Sequence, residues 1–64
     1  MEFKDNAEFI EVWGWDAFMG DDDCLLGAIR KGEDDNYWFH PARMAVMSCR
    51  MMRDIAKKLS ELNT

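Results

Sequence analysis

No glycine or proline occurs between Ala42 and Thr64, and apolar residues return every three to four positions along that stretch. Met44, Ala45, Ser48, Met51, Met52, Ile55, Ala56, Leu59 and Leu62 fall on one broad face at 100° per residue. Arg43, Arg50, Arg53, Asp54, Lys57 and Glu61 fall opposite. This spacing predicts an amphipathic helix of roughly six turns. Pro41 suits its first turn, where a missing N–H costs nothing.

The residues before this helix read as strands. Cys24-Leu25-Leu26-Gly27-Ala28-Ile29-Arg30 is a short apolar run, Lys31 to Asn36 (KGEDDN) is polar and turn-rich, and Tyr37-Trp38-Phe39-His40 is an aromatic run. Together they predict a hairpin. Upstream, Glu8 to Trp15 alternates as a strand, with Phe9, Glu11, Trp13 and Trp15 on one side and Ile10, Val12 and Gly14 on the other. The tryptophan side is expected to meet the helix, the alternative being an exposed aromatic patch. A helical reading of residues 2–13 competes, but Gly14 and the Val/Trp content favour the strand. Gly20-Asp21-Asp22-Asp23 then breaks the chain. The expected fold is α+β: a three-stranded antiparallel β-meander followed by one long C-terminal amphipathic helix packed on one face (βββα), in a single domain covering residues 1–64.

Sixty-four residues is too short for two domains or for a multi-part active site on a large scaffold. With 48% hydrophobic and 12% aromatic residues, the chain can fill a core and is not expected to be disordered. Such a short chain buries only about 60% of its unfolded surface, so dense aromatic packing is the expected compensation. No apolar run approaches the ~18–20 residues of a membrane span. Met1 to Asp5 lacks a signal-peptide pattern, and two cysteines do not make a secreted-type disulfide framework. Cytoplasmic residence is the default expectation, with Cys24 and Cys49 as reduced thiols, although one bridge between them stays possible.

Charge is segregated. Residues 1–36 hold eleven acids and three bases, and residues 37–64 hold two acids and five bases, giving the net −5. The acids cluster at Asp21-Asp22-Asp23 and at Glu33-Asp34-Asp35, joined by Glu8 and Glu11 from the first strand. Acidic loops can simply keep a small domain soluble. They can also form a surface for a protein partner with a basic surface, where long-range attraction selects the partner and speeds encounter. The candidate partner-binding residues are therefore Glu11, Asp21, Asp22, Asp23, Glu33, Asp34 and Asp35. Direct nucleic-acid binding is disfavoured in a chain of pI ≈ 4.6, since phosphate would repel it.

Met44-Ala45-Val46-Met47 would put apolar groups all around the start of the helix. A helix apolar on every side is usually buried on every side, which so short a chain cannot do alone. Met44, Val46, Met47 and Met51 are thus the expected self-association residues of a homodimer, the alternative being a docking patch for a partner, and methionine suits either because it packs on irregular surfaces.

Little suggests catalysis. His40 is the only histidine, and its place before Pro41 favours a capping or packing role. Cys24, Cys49 and His40 lack the close pairs of a zinc site, and Asp21-Asp22-Asp23 lacks the ligand spacing of a calcium loop. No catalytic residue, metal or cofactor is expected.

The segment Asp34-Asp35-Asn36-Tyr37-Trp38-Phe39-His40-Pro41, followed by a helix ending Ile55-Ala56-Lys57-Lys58-Leu59-Ser60-Glu61-Leu62-Asn63, resembles the C-terminal half of small accessory proteins of tailed bacteriophages. The resemblance covers about half of the chain. It implies a short, non-enzymatic protein that binds a host protein in the host cytoplasm, in some cases as an acidic inhibitor. No site residue is carried over by it.

Overall fold

The computed structural model describes residues 1–16 and 20–64, with the backbone alone for Asp16 and Asp21–Asp23. Four strands and one helix follow in order: β1 (Glu2–Asp5), β2 (Ile10–Asp16), β3 (Asp21–Lys31), β4 (Tyr37–Pro41) and α1 (Cys49–Leu62). The strands form one antiparallel sheet in sequence order, β1-β2-β3-β4. The architecture is α+β with a C-terminal helix, as the patterning predicts, but it has four strands rather than three.

The additional strand is β1. Its sequence, Glu-Phe-Lys-Asp, has a single apolar residue, so no alternating pattern marks it. What makes it a strand is its partner: Phe3 pairs with Val12 and Lys4 with Glu11. A tight connection, in which the Asn6 N–H donates to the Phe9 carbonyl at 2.8 Å, turns the chain back into β2. β3 starts at Asp21, three residues ahead of the apolar run, because it is paired there with the end of β2 (Asp21 with Asp16).

The helix begins at Cys49, not at Ala42. Pro41 is the last residue of β4 instead of the first turn of a helix. Between them, the Ala45 N–H donates to the Ala42 carbonyl at 3.1 Å and Met44 takes φ 63°, a left-handed conformation that no helix accommodates. Ser48 is the first residue that can cap a helix start. Its Oγ accepts the Met51 N–H at 3.2 Å, and Met51 Sδ accepts the Ser48 N–H at 3.4 Å. Met44, Ala45, Val46 and Met47 therefore lie in a connecting segment, and the inference from a helix apolar on all sides does not hold for them.

The core is small and its side of the sheet is opposite to expectation. Val12, Leu26, Ile29 and Ile55 are buried, Val12 completely. Phe3, Ile10, Phe39, Met47, Met51, Leu59 and Leu62 pack around them half-buried. Cross-strand rows show the logic: Phe3–Val12–Gly27–Pro41 and Ile10–Ile29–Phe39 face α1. Trp13 and Trp15 do not meet the helix; Val12 and Gly14 do. Aromatic rings of that size cannot approach the helix as closely as Gly14, where a Cβ would already stand 2.8 Å from Leu26 Cδ1 and 3.1 Å from Met51 Cε.

Leu26 reaches the core through a β-bulge. Val12 is paired with Gly27 but Trp13 with Leu25, so Leu26 is the extra residue of β3. Gly27 is required beside it: a Cβ there would collide with the His40 carbonyl oxygen and come within 2.8 Å of the Phe39 ring.

Candidate interaction face of the sheet

The side of the sheet away from α1 carries the alternate residues of every strand. Its rows are Lys4–Glu11–Ala28–His40, Trp13–Leu25 and Arg30–Trp38. Among the described residues, no helix or strand covers this face. Trp15 and Trp38 are each 55% exposed and Leu25 is 45% exposed.

Two rings on this face are held by cations. Lys4 Nζ stands 4.8 Å from the Trp13 ring centre, and the Arg30 guanidinium carbon 5.0 Å from that of Phe9. The indole Nε1 of Trp13 also donates to Glu11 Oε1 at 3.3 Å. Glu11 and Lys4 lie opposite each other across β1 and β2, so they neutralise one another locally. Between Phe9, Leu25, Arg30 and His40 the face dips into a shallow depression of about 350 Å³.

Trp38 is fixed by the acidic turn. Asp34 Oδ1 accepts from the Trp38 indole Nε1 at 3.0 Å and from the Asn36 N–H at 3.1 Å. These bonds, the indole first, hold the Asp34 carboxyl below the ordinary aspartate value of 3.8. The turn is closed further by the Gly32 N–H to the Asn36 carbonyl at 2.8 Å, with Asp35 at φ 65°. Aspartate tolerates that left-handed conformation better than most residues. A partly exposed Trp pinned in one orientation is a rigid, pre-formed contact surface.

The residues singled out in the sequence are distributed around this face rather than gathered in one place. Glu11 is half-buried within it. Glu33, Asp34 and Asp35 are exposed in the β3–β4 turn at one end. Asp21, Asp22 and Asp23 begin β3, and their side chains lie outside the described residues. Of the candidate self-association residues, Met44 is 89% exposed and Val46 is exposed, whereas Met47 and Met51 are half-buried against the core. His40 is exposed on the open face opposite Ala28, at the end of β4 rather than at a helix start. Leu25, Arg30 and Trp38 were not anticipated. The alternation Tyr37-Trp38-Phe39-His40 contains the signal for Trp38, once Phe39 is assigned to the core.

No group of three His, Cys, Asp or Glu side chains among the described residues is placed to hold a metal ion. No helix among them is long and apolar enough to cross a membrane. Compared with protein-family models, with curated proteins and with solved structures, the chain matches none.

Proposed function

We propose that this chain is a non-enzymatic protein-binding module whose working surface is the open face of its sheet. The observation that carries the reading is the exposure of Trp15, Leu25 and Trp38 on the side opposite the helix. Binding energy in protein interfaces concentrates in a few large residues, Trp foremost, ringed by polar groups. Here acids of the ring are supplied by Glu33 and Asp35, with Asp34 committed to holding Trp38 and Glu11 offset by Lys4. The partner that fits is a protein with an apolar centre and basic residues at its margin.

The net charge of −5 supports this choice over a nucleic acid. Lys4 and Arg30 are the cations on the face, both stacked on rings. A phosphate backbone would meet net repulsion from the chain as a whole.

The test is affinity capture from cell lysate in low and in high salt, with wild type beside two variants. Leu25→Ser combined with Trp38→Ser should abolish capture. Glu33→Lys with Asp35→Lys should reduce it mainly in low salt, where charges are least screened. Retention of the same protein by all three chains would refute the assignment of this face.

A further inference from the structure

The free edge of β4 is the second surface that the fold leaves unfinished. In β4 the main chain alternates between its neighbour and the outside. The Ala42 N–H donates to the Leu26 carbonyl at 2.8 Å, so the even-numbered residues turn their peptide groups toward β3. Tyr37, Phe39 and Pro41 therefore turn theirs outward. An open row of this kind pairs readily with another strand unless something blocks it.

One of the three outward positions is blocked by the far end of the chain. Asn63, which caps α1, accepts the Tyr37 N–H on Oδ1 at 2.7 Å and donates Nδ2 to the Tyr37 carbonyl at 3.1 Å. A side-chain amide has the same donor and acceptor as a peptide unit. Asn63 thus occupies the place that a residue of a fifth strand would take.

We propose that the β4 edge is a latent pairing surface for a second copy of this chain, held partly shut by the Asn63 side chain. Register, charge and apolar surface favour a second copy over another occupant. In an antiparallel register centred on Phe39, the two Phe39 residues exchange both of their N–H···O bonds, and each Tyr37 lies opposite Pro41 of the second copy. Pro41 accepts the Tyr37 N–H there and, having no N–H to return, makes one bond in a pair where Phe39 makes two. Displacing Asn63 lets each Tyr37 N–H reach that Pro41 carbonyl, which doubles the ladder bonds from two to four in exchange for the two Asn63–Tyr37 bonds of each copy.

Charge fits the same register. The turn carrying Glu33 and Asp35 precedes β4, and Arg43 follows it. Antiparallel pairing sets the acidic turn of each copy beside Arg43 of the other. Apolar surface fits as well, because both helices then lie on one side of the joined sheet. There an open groove of about 290 Å³ runs between β4 and α1, bounded by Phe39, Pro41, Met47 and the half-exposed Met52. The grooves of the two copies face each other across the axis. This proposal stands independently of the open-face reading, which concerns the other side of the sheet.

Sedimentation equilibrium of wild type, Asn63→Ala and Asn63→Asp tests it. Asn63→Ala should dimerise more tightly than wild type by about tenfold or more, the equivalent of one net hydrogen bond. Asn63→Asp still accepts the Tyr37 N–H but loses the bond to the Tyr37 carbonyl, and should dimerise between wild type and Asn63→Ala. Adding Arg43→Glu to Asn63→Ala should reverse the gain, and the Phe39 amide should exchange more slowly as dimer forms. A folded Asn63→Ala chain that stays as monomeric as wild type overturns the proposal. So does a dimer indifferent to Arg43→Glu. Should Asn63→Ala fail to fold, wild type at rising concentration decides: growing Phe39 amide protection that Arg43→Glu abolishes supports the edge, and concentration-independent exchange refutes it.

Discussion

Truncating Val12 and truncating Trp15 should have opposite consequences to those that side-chain size suggests. Val12 is fully buried between Phe3, Gly27 and the helix, while Trp15 is more than half exposed on the far face. Val12→Ala removes two methyl carbons from a sealed site. At about 0.8 kcal/mol for each buried methylene-sized group, plus a term for the cavity, the loss is about 2–3 kcal/mol. A chain of this length is stable by only about 3–10 kcal/mol, taking 0.05–0.15 kcal/mol per residue. The midpoint of thermal unfolding should therefore fall by about 8–24 °C. Trp15→Ala removes a far larger group but should stay within about 0.5 kcal/mol of wild type, as surface changes do. Urea unfolding followed by circular dichroism measures both without relying on tryptophan fluorescence. A Trp15→Ala loss equal to or larger than that of Val12→Ala would mean that the tryptophan side is the core after all.

Three further outcomes follow from single contacts. Ser48→Ala removes the cap at the start of α1 and should cost about 1 kcal/mol in the same urea assay, with Ser48→Asp nearly neutral; an unchanged midpoint in Ser48→Ala would place the helix start elsewhere. Gly27→Ala forces a methyl group against the His40 carbonyl, a collision that must shift backbone, and should leave the chain largely unfolded by amide proton dispersion. Asp34 has a folded pKa below its unfolded value, so its contribution to stability is present above about pH 4 and is lost as pH falls through the lowered value. Trp38 emission should change over that acid range while the far-ultraviolet spectrum is still native, and Asp34→Ala should remove the step.

The elements with a strong local signal were legible in the sequence. The α1 periodicity from Met51 to Leu62, the hairpin turn at residues 32–36 and the aromatic strand after it all follow from patterning. β1 was not legible, because a polar edge strand is stabilised by its ladder and by one packed residue, Phe3, not by its own composition. The helix start was misplaced because the apolar spacing continues through Met44 and Ala45 without interruption. Ser48 outweighs that spacing by supplying the only capping side chain in the region. The faces of β2 were exchanged because period-two alternation identifies two faces without saying which one is inside. Bulk favoured the Trp face, yet the close approach of α1 needed Gly14 and the slim Val12. The candidate site suffered from the same ambiguity: its acids could be read from composition, but Trp38, Leu25 and Arg30 come together only across strands.

The most direct measurement of the central claim is fluorine NMR of protein carrying 5-fluorotryptophan at its three tryptophans, titrated with the captured partner after purification. Saturable shifts or broadening of the Trp15 and Trp38 resonances, assigned by single substitution, are the predicted result. Three unmoved resonances, with perturbation confined to amides of α1, would contradict it.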